Sequence, residues 1–378
     1  MTTPGGTSSS TPVVIGILAD PVAAPASVAR QLERDLPHLL AAQLGEPDWR
    51  IDVRLEQLPP TDVHEFQMMD FATERLRQHG WDLAVCITDL PMRSAGRPVV
   101  ADASKAREVA VVSLPAFGAM ALRRRVQEVV VWLVAVLRDS TADTAAGHGR
   151  AALGQTFRRL APDQEEVDVR VVASRGRLRL LLGMVRDNRP WRLVAGLRGA
   201  LVGAFAFSAF YLINPTLWQL ATTMTPVQRL AAALGSLAVL VTWLIVYHQL
   251  WMRTRGRPAP EREEAMLFNA STVLTLALGL SCGYAALYAL NLVAAVVVYT
   301  PEVLGQYVGP TPSLPDYALV VLLVTSAATV AGAIGSGFES EESVREAAYS
   351  RRERERREAL RRSSPNRHRQ ERGRRSGS

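Results

Sequence analysis

Residues 193–213 read LVAGLRGALVGAFAFSAFYLI, an apolar run with a single charge, Arg198, near its start. At about 1.5 Å of rise per residue, a helix of roughly 20 residues crosses a hydrocarbon core about 30 Å thick. Similar runs follow at about 230–251, 271–299 and 317–338. The third is longer than a span requires, so it tilts or continues past the interface. Residues 188–338 are therefore expected to hold four transmembrane helices. An earlier apolar run, VVVWLVAVL (129–137), is too short to cross and sits behind Gln127 and Glu128. It reads as a core helix of a soluble domain.

The rest of the composition agrees with that division. The 378 residues are 48% hydrophobic by count, yet mean hydropathy is only +0.07. The apolar residues must therefore be unevenly placed. Net charge is +7, and it is uneven too: −1 over residues 1–187, +3 over 188–338 and +5 over 339–378. The N-terminal half is neutral overall and is no basic domain for DNA or RNA, so nucleic acid is not expected as a partner. The two cysteines, Cys86 and Cys282, lie far apart in different kinds of segment. That rules out a disulfide framework and fits a reduced compartment.

Arginine placement sets the expected orientation. Arg186, Arg189 and Arg192 precede the first run, and Arg253, Arg255, Arg257 and Arg262 lie between the second and third. The segment after residue 338 adds thirteen more. The other two connections, about 214–229 and 300–316, hold one arginine, Arg229, beside Glu302 and Asp316. Positive-inside bias then puts both termini and the 252–269 loop in the cytoplasm of a plasma-membrane protein. Trp191, Trp218 and Trp251 lie near span ends, as interfacial anchors do. No signal peptide precedes the first domain, and residues 1–11 read as a flexible leader.

Within the spans, small residues recur at helical spacing. Gly199 with Gly203 and Gly279 with Gly283 form two GxxxG pairs, and Gly332 continues the pattern between Ala328 and Ser336. Such positions let helices approach closely. Packing within one chain is the first reading, and a homo-oligomer seam is the second. No Asp, Glu or Lys lies inside a span, and no broken span is evident, so a transporter or small channel is the least favoured reading.

The N-terminal part, residues 12–187, alternates between strand and helix periods. PVVIGILAD (12–20), WRIDVRLEQL (49–58), WDLAVCITD (81–89), RPVVADAS (97–104) and REVAVVSLPA (107–116) read as strands. Residues 25–44, 65–79 and 119–138 read as helices, the last with an apolar face of Val126, Val130, Leu133, Val134 and Leu137. Residues 140–163 read as a polar loop. VDVRVVASRGRLRLLLGMV (167–185) reads as two strands about an S-R-G-R turn. Asp187 or Asn188 with Pro190 supplies a start signal for the first membrane helix. The fold class is an α/β domain with a βαβ sheet continuing into a hairpin-like addition, followed by a four-helix transmembrane bundle.

Open α/β sheets bind ligands outside the carboxyl ends of their strands. Those ends carry Asp20, then Thr88 and Asp89, then Asp102, Ser104 and Lys105, then Ser113. Lys105 is the only lysine in the chain. These seven residues form the candidate ligand site, although TDLP and ADAS are also ordinary turn and cap sequences. No catalytic residue, metal site or cofactor is expected. The first strand lacks GxGxxG and has only Gly16, and no GxxxxGK[ST], GxSxG or HExxH occurs.

Residues 339–378 read as a basic cytoplasmic helix leading into a disordered end from Ser363. Ser336 and Glu339 form a capping box, and Glu341–Arg345, Glu353–Arg357 and Glu358–Arg362 are i,i+4 pairs with the acid first. Twelve basic residues against four acidic ones after position 350 suit anionic lipid.

DLAVCITDLP, RPVVAD, VVSLPAFGA, LLLGMVRDNRPWRL, NASTVLTLALG and GSGFESEESVREAAYS together resemble a group of actinobacterial four-span membrane proteins with a cytoplasmic α/β domain. Such proteins are sometimes labelled methylenetetrahydrofolate dehydrogenase, but no dinucleotide fingerprint or folate-site motif supports that label here. The ITDLP strand, the hairpin, VAVVSLPAFG and the following helix also resemble an archaemetzincin-like scaffold. Its helix would supply HExxH where this chain has RVQEVVVWLVAVLRD. The sheet is thus expected to be Rossmann-like or zincin-like. Three functions remain open, in this order: a non-catalytic domain binding or scaffolding an unknown cytoplasmic protein, a ligand sensor or enzyme using the strand-end group, and a transporter.

Overall fold

The computed structural model describes residues 12–21, 23–44, 48–59, 66–94, 97–138, 157–160, 167–173, 176–191, 198–253, 259–308 and 312–335. The chain divides into two compact units between Asp187 and Asn188. The expected leader, the capping box at Ser336 and the basic helix beyond it lie outside the described residues.

The first unit is built on one mixed sheet. Strands β1 (Val13–Ala19), β2 (Trp49–Leu55), β3 (Leu83–Thr88) and β6 (Val109–Ser113) run parallel in the order β2-β1-β3-β6. Strand β5 (Arg97–Ser104) pairs antiparallel with β6, β8 (Val169–Ala173) antiparallel with β5, and β7 (Phe157–Leu160) forms the far edge. A short β4 (Met92–Ser94) forms a hairpin with β5. Every residue of β3, LAVCIT, is buried, as a strand covered on both faces requires.

Helices supply that cover. Helix α2 (Phe66–His79) seals one face with Met68, Met69, Ala72 and Leu76 against Leu18, Cys86 and Val111. Helices α1 (Ala23–Leu44) and α3 (Leu122–Arg138) pack on each other and on the sheet. They cover the alternate positions Ile15, Ile17, Val85 and Ile87, all fully buried. Right-handed crossovers dictate this arrangement: β1 to β2 moves one way across the sheet and β2 to β3 moves back over β1. The VVVWLVAVL run lies in α3 and is a core helix of this unit.

Two expectations for this unit are corrected. The 140–163 segment holds β7 within it, where Phe157 packs edge-on to Phe117. The second half of 167–185 is a helix, α4 (Gly176–Asp187), and not the second strand of a hairpin. Leu180 and Met184, four residues apart, share its buried side, while Leu178 and Leu182 are exposed. The R-L-R-L start imitates strand alternation; the apolar spacing that follows obeys the helical period.

The second unit is helical: α5 (Arg198–Leu212), α6 (Pro215–Thr223), α7 (Pro226–Tyr247), α8 (Ala259–Val298), α9 (Pro301–Val308) and α10 (Leu314–Gly335). Among the described residues, α7, α8 and α10 are long and apolar enough to cross a membrane. Helices α5 and α6 make a fourth span only if taken together, and they are bent by 86°. The described part of the first expected span, Arg198–Leu212, is one helix with the bend at its end, and residues 192–197 at its start are outside the description. The other spans shift at their ends: α7 begins at Pro226 under a Thr225–Gln228 capping box and stops at Tyr247, and α8 starts twelve residues before 271. The connections 214–229 and 300–316 are not plain loops, because each carries a short helix opened by a proline.

Burial in this unit is the reverse of a soluble fold. Val202, Phe205, Val246, Val293 and Val297 are exposed. Helix α10 is the core, contacting α5, α7 and α8, with 61% of its span buried against 22% and 17% for those of α7 and α8. An apolar exterior around a packed centre suits lipid as solvent. At one end, Trp218 sits edge-on to Tyr299 and Tyr307 and donates its indole N–H to the Leu212 carbonyl.

Polar groups cross-link the helices where hydrocarbon offers no partner. The Asn291 amide on α8 donates to Ser208 Oγ on α5 and Thr325 Oγ1 on α10, each at 3.0 Å. Asn188, expected to start a helix, is buried and donates to Ser271 and Thr275. Replacing Asn291 with Leu deletes both bonds at once. The expected loss is about 1 kcal/mol, since measured intramembrane side-chain bonds average about 0.6 kcal/mol. Detergent-solubilised full chain titrated with SDS and followed by tryptophan fluorescence would show it as an earlier midpoint.

Candidate functional site

The sheet brings together four of the seven candidate residues. Ala19 lies opposite Ile87 and Thr88 opposite Ser113, so Asp20, Thr88, Asp89 and Ser113 share the carboxyl edge of β1, β3 and β6. The direction of strand addition reverses between β1 and β3, the place where doubly wound parallel sheets open a ligand crevice.

Here the crevice edge is occupied by the protein itself. Asp20 Oδ1 accepts the Leu58 N–H at 3.1 Å, and Glu56 N donates to the Ala19 carbonyl. Leu58 is thereby drawn into the core beside Leu18, Leu90 and Met92. Thr88 Oγ1 accepts the Leu90 N–H at 3.1 Å. Ser113 Oγ donates to the Leu90 carbonyl at 2.6 Å and accepts from Met92 N at 3.3 Å. Asp20, Thr88, Asp89 and Ser113 are all buried, at 7% exposure or less. Asp20, Thr88 and Ser113 fix the turns after β2 and β3. Gly16, the lone glycine of the first strand, is covered by the Trp81 ring: a Cβ there would lie 1.9 Å from Trp81 Cε3.

The remaining three candidates lie elsewhere. Strand β5 runs antiparallel to β6, with Ser104 opposite Val109, so its carboxyl end is at the amino edge of the parallel strands. Ser104 and Lys105 are thus at the wrong end of the sheet to join Asp20 and Asp89. The Lys105 N–H donates to Asp168, and Lys105 begins the turn to Glu108, which has a φ of 57°. Asp102 is in mid-strand and pairs with Arg170 on β8. Arg170 Nε and Nη2 reach the two carboxylate oxygens at 2.9 and 2.8 Å, and Nη1 reaches Ser94 Oγ at 2.6 Å. Both partners are buried, at 1% and 0% side-chain exposure. Burial pushes the Asp102 carboxyl above its ordinary pKa, against the hydrogen bond and charge of Arg170. Arg170 was absent from the sequence-based set. Its signal was present, since an arginine inside the apolar run VRVVA must find a buried carboxylate.

A second cluster was also missed. After β6 the chain makes a 3-10 turn, Leu114–Phe117, whose carbonyls are bound by three arginines. Phe117 O accepts from Arg125 and Arg179, and Gly118 O and Leu114 O from Arg186. Arg179 lies over the Phe157 ring, and burial followed by the charge of Arg125 lowers its pKa to about 10. It is therefore still a cation at neutral pH.

In the second unit, Gly332 is a close-approach residue. A Cβ there would meet the Ala200 carbonyl at 2.9 Å and Ala204 Cβ at 3.3 Å. Gly279 and Gly283 instead line an apolar hollow with Ala200, Ala204, Tyr284 and Gly332. Gly199 and Gly203 are half-buried on α5. No family model matches the chain, and neither a curated protein nor a solved structure matches it.

Proposed function

We propose that this chain is a multi-pass plasma-membrane protein with both termini in the cytoplasm, and that its α/β domain is a non-catalytic binding or scaffolding module for a cytoplasmic protein. The observation that carries the reading is the filled switch point: Leu58 lies in the core there, tied to Asp20, and Thr88 and Ser113 bind backbone. Polar groups committed to turns hold a shape; they do not wait for a substrate. The arginine distribution supports the orientation, and the resemblance to actinobacterial four-span proteins belongs with it. The convergence of Asp20, Asp89, Thr88 and Ser113 on one edge favours a ligand sensor as the second reading.

Thermal unfolding of the full chain in detergent, against nucleotides, folates, divalent cations and common metabolites, separates the two. We expect a flat panel. A saturable rise in midpoint that Asp89→Ala removes would overturn the scaffolding reading, because only a ligand of the native state stabilises it. Crosslinking in cells should give a protein partner that disappears when residues 12–187 are deleted while the spans still insert. Reporter fusions at residue 224 and at the C-terminus should report opposite sides of the membrane.

A further inference from the structure

Among the described residues, the first unit exposes only three large apolar side chains: Met120 (77%), Leu178 (67%) and Leu182 (39%). All three belong to α4 or to the segment just past the turn on which it packs. Leu178 and Leu182 are one turn apart on α4, and α4 is locked to the turn that ends at Gly118, two residues before Met120. The lock is tight, because a Cβ at Gly118 would lie 2.8 Å from Arg179 Cγ.

The same region is strongly basic. The turn and the start of α3 bring Arg123, Arg124 and Arg125, and α4 brings Arg177, Arg179 and Arg186. Asp187, bound to Arg186 at 2.7 Å, is the one acid within those two segments. Glu128 pairs with Arg124 just beyond. Carbonyl acceptors hold Arg125, Arg179 and Arg186 in place, so their charge does not need acids to fix it. The unit as a whole has a net charge of only −1 over residues 1–187, so the rest of it is net acidic and the arginines are concentrated on this surface. Exposed Leu and Met interleaved with arginine are what an interfacial helix presents to a bilayer.

We infer that α4 and the Gly118–Arg125 corner form a membrane-docking face, with Met120, Leu178 and Leu182 entering the headgroup region and the arginines binding anionic lipid. This rests on the membrane reading above and adds a second, independent hold on the same leaflet. The domain is then fixed in orientation, and one surface of it is unavailable to protein partners. The arginines at the chain's C-terminal end are not needed for it.

The test uses the full chain in lipid nanodiscs. Cys282→Ala removes the exposed thiol, Cys86 being buried, and Leu178→Cys carries an environment-sensitive fluorophore. Emission should move to the blue in discs containing phosphatidylglycerol relative to phosphatidylcholine alone. The shift should reverse in high salt, and replacing Arg123, Arg124 and Arg177 with Gln should weaken docking roughly fivefold per charge. Equal emission in both discs would overturn the proposal. So would a blue emission already present in detergent without lipid, which would mean protein covers the face. Alkaline carbonate extraction separates the two levels of failure: a chain released from membranes loses the membrane reading and this one with it. A chain that stays inserted with a water-exposed label loses only this one.

Discussion

Arg170→Met is expected to destabilise the α/β domain by about 3–5 kcal/mol. The guanidinium spans β8 to β5, binding both oxygens of Asp102 and reaching Ser94 on β4. Removing it leaves a carboxylate at 0% side-chain exposure with its principal cation gone. A thermal midpoint for a domain of this size moves roughly 2–4 °C per kcal/mol, so a drop of about 10 °C should be read in the full chain by near-ultraviolet circular dichroism. The double variant Asp102→Leu with Arg170→Met decides the cause. Burying two charges costs desolvation that their attraction only partly returns, so an apolar pair of similar volume should recover most of the loss. If the double variant is no better than the single, the loss came from packing of the long arginine stem and the electrostatic account fails. The loss is one of stability alone, because Asp102 is not part of the carboxyl edge that Asp20, Thr88, Asp89 and Ser113 share.

That separation marks the limit of what the sequence could tell. Apolar runs ending in Asp20, Asp89 and Ser113 announced parallel strands, and those three residues do share an edge. RPVVADAS announced a strand equally well, but a hydrophobic pattern carries no direction. Only the hairpin from β4 turns β5 around and takes Ser104 and Lys105 to the other end. The RLRLLLGMV stretch failed for another reason. Its first four residues alternate, and α4 is only 12 residues long, too few turns for the helical period to dominate. What makes it a helix is tertiary, namely the bed that Pro115 and Phe117 provide.

The membrane segments were more legible because the bilayer constrains length and polarity directly. Runs near 230, 271 and 317 became α7, α8 and α10 with shifted ends. The bend after Leu212 and the short helices α6 and α9 were missed. Their sequences, PTLWQLATT and PEVLGQYV, are too short and mixed to stand out from loops. They persist because Trp218, Tyr299, Tyr307 and Tyr317 pack into one cluster, a contact between residues far apart in the chain.

Gly183→Ala should release α4 from that bed, against the expectation from helix propensity. In an isolated helix the change gains about 1 kcal/mol. In this fold the new Cβ would lie 2.0 Å from the Pro115 carbonyl oxygen and 2.8 Å from its Cα. Those are backbone atoms of the turn after β6, and they have no rotamer into which to escape. Overpacking of this kind costs about 3 kcal/mol at the upper end of its range, so the net expected loss is about 2 kcal/mol. The consequence reaches the arginine cluster, because Arg179 and Arg186 bind Phe117 and Gly118 from α4. Displacing the helix opens Arg177, Arg179 and Arg186 to trypsin, and cleavage there should accelerate while the apolar spans remain intact. Leu178→Ala, an exposed position on the same helix, should leave midpoint and cleavage nearly unchanged and so isolates the steric cause. A Gly183→Ala protein with an unchanged or higher midpoint would mean that α4 is not held on the Pro115 turn. The basic face would then have no fixed geometry with which to meet a membrane.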